Sequence, residues 1–232
     1  MSKKTKVTQK VIEAKEIWKI YNEGKPSEVQ ALRGVSFDVN EGEIVAVMGE
    51  SGSGKTTLLN CISGIDQTTR GSIFIDGKDL SKMKDNPKTE YRAQKMGFIF
   101  QTFNLIPVLT ALENVELPLL VNGVKPKIAR KRAISELKAV GLGERMDHKP
   151  SELSGGQRQR VTIARALVND PAVIWADEPT GNLDSETADE IMDLIINLNK
   201  EKGTTVVMVT HSKEIADYAQ RIVQMDSGKI VS

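Results

Sequence analysis

Short apolar runs alternate with longer amphipathic stretches along this chain. Ile44-Val45-Ala46-Val47-Met48, Ala172-Val173-Ile174-Trp175-Ala176 and Val206-Val207-Met208-Val209 are too brief for helices. Being rich in β-branched residues, they predict strands buried on both faces. Residues 11–21 and 29–40 also read as strands, joined by the turn-rich Asn22–Ser27, and Ser72–Gly77 as a strand and turn. From about 102 to 165 the pattern becomes helical: Thr110-Ala111-Leu112-Glu113 spells a capping box. Ile128, Ile134, Leu137 and Val140 then recur at roughly helical spacing among Lys and Arg. Strand signals return at 172–177, 204–209 and 221–225, with a helix across 185–200. The sum is an α/β fold: a parallel core interrupted by a helical insert.

Composition narrows this little. A chain of 232 residues is long enough for one large α/β domain with a smaller subdomain. Net charge of +1 gives no surplus that argues for nucleic acid, beyond a local patch. The single cysteine, Cys61, has no internal partner, which fits a reducing compartment. No apolar run approaches the ~18 residues of a membrane span. The basic start, MSKKTKVTQK, is followed by Glu13, Lys15 and Glu16, whose charges break any signal-peptide core. Residues 1–10 are therefore expected to be a disordered tail, and the protein to be cytoplasmic.

The chemistry begins at Gly49-Glu50-Ser51-Gly52-Ser53-Gly54-Lys55-Thr56. This is a P-loop placed between a strand and a helix starting at Thr56-Thr57, so backbone N–H groups and a helix N-terminus converge on phosphate. Lys55 is spaced to reach the β- and γ-phosphates and Thr56 to ligate Mg²⁺. After Val173–Ala176 comes Asp177-Glu178: Asp177 is placed to hold the metal. Strand alternation points Glu178 elsewhere, as general base for water. His211 closes another apolar run and is either a rim residue of the core or a γ-phosphate sensor. Tyr21 is either a strand aromatic or a platform for adenine.

Farther on stands Leu153-Ser154-Gly155-Gly156-Gln157. With the P-loop, it makes nearly the whole chain resemble the ATP-binding cassette (ABC) family of ATPases, whose signature motif is LSGGQ. The resemblance implies a P-loop NTPase (RecA-like) core, residues 11–101 and 166–232, with an antiparallel β subdomain and a helical subdomain over about 102–165. It makes Tyr21 the A-loop aromatic and Gly49–Thr56, with Thr57, the ATP cradle. Gln101 becomes the Q-loop glutamine, touching ATP and Mg²⁺ beside Thr56 and Asp177. Glu178, His211 and Lys55 are the catalytic set, and Gly181–Asp184 the D-loop. The stretch Phe98–Pro107, continuing Thr110–Val115, and Glu28–Leu32 resemble the lipoprotein-release and macrolide-export group (LolD and MacB types). Trp175 and Asn182 depart from common residues at positions without a chemical role.

The family's arrangement implies that Ser154, Gly155, Gly156, Gln157 and Asp184 serve the ATP of a second copy, head to tail, rather than merely starting a helix near Gln157. The expected partners are that copy and integral membrane permease subunits, met through the helical subdomain and Q-loop. No nucleic-acid partner is expected. The apolar Phe103–Leu109 run is either subdomain core or a groove for a permease helix. The cargo class implied is lipoprotein, macrolide, peptide or lipophilic. Two alternatives stay open: a mechanotransmission or cell-division regulator (FtsE-like) that moves no substrate, and a soluble cassette ATPase without a membrane partner.

Overall fold

The computed structural model describes residues 9–231. The expected tail lies almost wholly outside those residues, and Lys10 already begins the first strand. β1 (Lys10–Tyr21) and β2 (Val29–Asn40) pair antiparallel across Asn22–Glu28. β3 (Ile44–Met48) runs through the P-loop into α1 (Lys55–Ile62). β4 (Arg70–Ile75) and β5 (Lys78–Asp79) complete an antiparallel sheet of order β2-β1-β4-β5. α2 (Asp85–Lys95) leads to β6 (Met96–Phe100), then come α3 (Ala111–Val121), α4 (Pro126–Ala139) and α5 (Gly155–Leu167). β7 (Val173–Asp177), α6 (Ser185–Lys202), β8 (Thr205–Thr210), α7 (Lys213–Ala216) and the hairpin β9 (Arg221–Asp226), β10 (Lys229–Ile230) finish the chain. The second sheet has the order β10-β9-β3-β8-β7-β6, parallel except for β10.

The unbroken apolar runs of β3, β7 and β8 serve two cores at once. Ile44, Ala46, Ile174, Ala176, Val206 and Met208 face α3, α5 and α6. The alternate residues Val45, Val47, Val173, Trp175, Val207 and Val209 pack with α1 and the antiparallel sheet. Period-two alternation with both faces buried leaves no polar positions, which is why these strands read as continuous hydrophobics. Trp175 is wholly enclosed, with its Nε1 lacking a partner among the described residues. Cys61 is also enclosed, and burial pushes its thiol up to about 12.

The helical stretch follows its caps. Thr110 and Glu113 exchange both capping-box bonds at the start of α3, and Leu112, Val115, Leu119, Ala129, Ala133 and Leu137 interleave beneath α3 and α4. α2 has no counterpart in the hydrophobic pattern, since Tyr91 alone is buried on it. It is held by polar reach: Tyr91 Oη donates to Ile75 O at 2.8 Å and Arg92 to Gly64 O at 2.6 Å.

Candidate active site

The P-loop is shaped by contacts only glycine permits. A Cβ on Gly49 would collide with Met225 O, and one on Gly54 would stand 2.7 Å from Ala31 O, with Gly54 at φ 102°. Gly54 is the N-cap of α1 and offers no side chain, so no side-chain hydrogen bond closes that helix end. Its amides and its positive dipole end stay available to an anion. Buried Ser53 Oγ, inside the same loop, has no partner among the described residues. An uncapped helix end and an orphaned hydroxyl are what a bound phosphate satisfies, so these residues fit a triphosphate. Buried Lys55 donates to Gly49 O and Glu50 O, each at 2.8 Å, which folds its ammonium back over the loop.

The carboxylates come from the neighbouring strand. Asp177 ends β7, and Thr56 Oγ1 lies 3.4 Å from its Oδ1. Burial pushes the Asp177 carboxyl above its ordinary value, and the adjacent Glu178 adds to this. The Thr56 hydrogen bond and Lys55 oppose it. Asp177 and Thr56 are hard oxygen donors side by side, as Mg²⁺ requires. Among the described residues no three His, Cys, Asp or Glu converge, so the rest of a magnesium shell would come from phosphate, water or a neutral side chain.

Glu178 lies just past the strand, so strand alternation is not what turns it aside. It adopts a left-handed φ of 48°, with its N–H bonded to Val209 O at 2.9 Å. That kink brings its Oε1 to 2.8 Å from Nδ1 of the largely exposed His211, at the end of β8. His211 thus touches the carboxylate directly.

An open cavity of about 550 Å³ is lined by Ser51, Gly52, Gly54, Lys55, Thr56, Thr57, Glu178 and His211. It is also lined by residues to which the sequence reading attached no role: Val29, Gln30, Ala31 and Arg33 of β2, and Ser227-Gly228 between β9 and β10. Gly228 N bonds Ser53 O and Gly228 O accepts from Arg33 N, both at 2.9 Å, so this turn braces the P-loop from behind. The Asp226-Ser227-Gly228 spelling is the sequence signal for that turn.

Other candidate residues stand outside that cavity. Tyr21, at the end of β1, donates from Oη to Asp66 Oδ2 at 2.9 Å. Gln101 lies against the loop after Glu178: its Nε2 is 3.4 Å from Asn182 Oδ1, and Asn182 Nδ2 donates to Gln101 O at 2.9 Å. A Cβ on Gly181 would stand 2.7 Å from Gln101 Nε2. Asn182, expected to be free of any chemical role, is therefore Gln101's partner. Asp184 caps α6 by accepting from Thr187 N at 2.9 Å.

The signature segment is likewise turned to its own helix. α5 begins at Gly155, two residues before the expected Gln157. Ser154 Oγ accepts from Gln157 N at 3.2 Å while Gln157 Oε1 accepts from Ser154 N at 3.0 Å. None of Ser154–Gln157 lines the cavity.

A second concavity, about 460 Å³, lies between β6, α2, α3 and α5, where Phe98, Phe100, Leu117, Pro118 and Val121 give it an apolar wall and Arg92 and Arg165 a basic rim. Of the Phe103–Leu109 run, only Asn104 contributes to it. Phe103 lies under the Arg158 guanidinium, 5.1 Å away, Leu105 packs on the core, and Ile106 and Val108 are exposed.

A helix end kept free of side-chain caps, beside a half-buried carboxylate and a second carboxylate held by an imidazole, suits water attack on a bound triphosphate. Fold and site are those of a P-loop nucleoside triphosphatase. Across residues 32–181, more than half its length, the chain matches the ABC transporter family (ABC_tran); it belongs to that family and is an ATP-binding, ATP-hydrolysing cassette. It is 51% identical over 222 residues to an uncharacterized ABC transporter ATP-binding protein of Thermotoga maritima, covering 96% of this chain and 94% of that one. It is 48% identical over 218 residues to the lipoprotein-releasing system ATP-binding protein LolD of Alcanivorax borkumensis, covering 94% and 95%. Among solved structures, the cassette MJ0796 of Methanocaldococcus jannaschii, a dimer in a post-hydrolysis state bound to ADP and Pi, superposes with a TM-score of 0.86 at 45% identity, covering 95% of this chain and 97% of that one.

Proposed function

We propose that this chain is the ATP-hydrolysing subunit of a membrane transporter and works as a head-to-tail homodimer around two Mg-ATP. The observation that carries this is the separation within one chain of the P-loop cavity from Ser154–Gln157: each cavity is completed by the other copy's signature segment and Asp184. The dimeric MJ0796 structure supports the reading. Mg²⁺, when bound, screens the phosphate charge. Thr56 and Asp177 hold it, with Gln101 as a further ligand once released from Asn182.

Within that frame Gly49–Thr57 cradle the phosphates through backbone amides, and Lys55 faces the β- and γ-oxygens. Glu178 takes the proton of the attacking water. His211 fixes the Glu178 carboxylate and stands next to where the γ-phosphate lies. Tyr21 faces the base. The segment of residues 102–165 forms the helical subdomain, and the apolar groove beside β6 receives a cytoplasmic helix of a permease. The likeness to LolD supports a permease of the lipoprotein-release type, with lipophilic cargo, on the cytoplasmic face of the membrane. No helix among the described residues is long and apolar enough to cross a membrane, so the crossing falls to that partner.

The test is the Glu178→Gln variant with Mg²⁺ and ATP, followed by size-exclusion chromatography with light scattering. The expected result is a stable dimer that does not turn over. A variant that stays monomeric under ATP and retains full turnover would falsify the shared-site arrangement.

A further inference from the structure

We propose that Asp66 and Lys19 are positioning residues for the nucleotide base, acting through Tyr21; this rests on the reading of Tyr21 as the surface on which the base stacks. A tyrosine at a strand end with 39% of its surface exposed has freedom to swing. Here it does not have that freedom. Both oxygens of one carboxylate are engaged: Asp66 Oδ2 accepts from Tyr21 Oη at 2.9 Å, and Oδ1 accepts from Lys19 Nζ at 2.7 Å. Lys19 donates again to Gln67 O at 2.8 Å, and its ammonium stands 4.6 Å from the centre of the Tyr21 ring.

Three consequences follow from this geometry. The ring is tethered at its hydroxyl. The lysine occupies the region over one of its faces by a cation–π contact, so a planar base has the other face. The tether is also part of the phosphate cradle's own unit. Asp66 N bonds Asn60 O at 3.0 Å, which fastens it to the last turn of α1, the helix whose first turn carries Lys55 and Thr56. One helix thus places the phosphate site at its start and the anchor of the base platform at its end. Recognition through a ring face reads aromatic area rather than the hydrogen-bonding edge of the base.

The experiment is steady-state ATPase kinetics of the full chain, with inhibition by inorganic triphosphate as a probe that has no base. Tyr21→Ala is expected to raise KM for ATP about tenfold. Asp66→Ala and Tyr21→Phe should each raise it about threefold with kcat unchanged, and Asp66→Asn, which keeps an acceptor, should recover part of the loss. Both changes break the Oη–Oδ2 bond, and Asp66→Ala also releases Lys19, so adding Tyr21→Phe to Asp66→Ala should raise KM no further than Asp66→Ala does alone. Inhibition by triphosphate should be unaltered in every variant. If Asp66→Ala weakens triphosphate inhibition as much as it raises KM, or still raises KM in a Tyr21→Ala background, the proposal is overturned and Asp66 serves the loop instead. If Tyr21→Ala raises KM while Asp66→Ala does nothing, the positioning role alone fails. An unchanged KM in Tyr21→Ala overturns the stacking reading and the proposal together.

Discussion

Two helices in this chain begin at glycine-rich segments and treat their first amides in opposite ways. α1 starts after Gly54, a residue without a side chain to cap it, and leaves its amides facing a cavity. α5 starts after Ser154, which forms a capping box with Gln157 and lies away from that cavity. Either N-terminus could attract an anion. Only the first is built to depend on one. The second is capped by its own side chains and holds its hydroxyl and two glycines away from that cavity, which suits a role toward another molecule. Motif spelling alone marks both as phosphate sites, whereas the caps separate a receiving site from a presenting one.

The largest expected effect tests whether those two surfaces meet between copies. Lys55→Ala disables the receiving side. Ser154→Asp keeps a strong N-cap but adds a negative charge to the presenting side. Each alone should lower turnover by about 10²-fold or more. A one-to-one mixture should regain activity, because mixed head-to-tail dimers carry both defects in one site and spare the other, leaving roughly a quarter of sites whole. A mixture as inactive as its components breaks the comparison.

A smaller effect separates capping from contact. Ser154→Ala and Thr110→Ala each remove the side-chain half of a capping box, so each should cost about 1 kcal/mol in urea denaturation. Turnover should fall about tenfold only for Ser154→Ala, since the Thr110 box belongs to a helix that presents nothing to nucleotide. Equal turnover in the two variants would reduce the signature serine to a helix cap.

The receiving side should also carry a cost in stability. Burial and Glu178 raise the Asp177 carboxyl. A raised group favours the fold below its ordinary value of 3.8 and loses that contribution as pH climbs through the raised value. At neutral pH the ionised carboxylate therefore opposes folding, and Asp177→Asn should raise Tm by a few degrees. The gain should shrink as pH falls toward 4, and Mg²⁺-dependent turnover should be lost at every pH. A calorimetric series in pH without added metal checks the first two, and an ATPase assay the third. A variant no more stable than the parent at pH 7 would mean that the site is not strained in this way.

What was legible in the sequence divides along the same physical lines. Runs buried on both faces, such as β3, β7 and β8, announce themselves because nothing polar interrupts them. The P-loop is legible because only glycine tolerates its contacts with Met225 O and Ala31 O. α2 escaped notice because it buries a single side chain and is secured by Tyr91 and Arg92 reaching to backbone carbonyls, a bond type without periodicity. The Ser227-Gly228 brace and the β2 lining are contacts between distant segments. So is the meeting of Gln101 with Asn182, which local spelling does not encode. For Glu178 the reason expected for its orientation fails: a left-handed kink beyond the strand, not pleat alternation, turns it toward His211.

The Asn182 bonds have a thermodynamic corollary. Gln101 sits between Phe100 and Asn104, both of which line the apolar groove, and it is bonded to the loop that runs from Glu178 to Asp184. If nucleotide also favours one position of Gln101, an occupant of the groove that does so alters the affinity of the nucleotide site by some factor, and nucleotide alters the occupant's affinity by that same factor. The exchange needs no moving part beyond a glutamine and an asparagine. Its size can be read from either end, as the shift in ATP affinity when the groove is filled or the shift in groove affinity when ATP is bound.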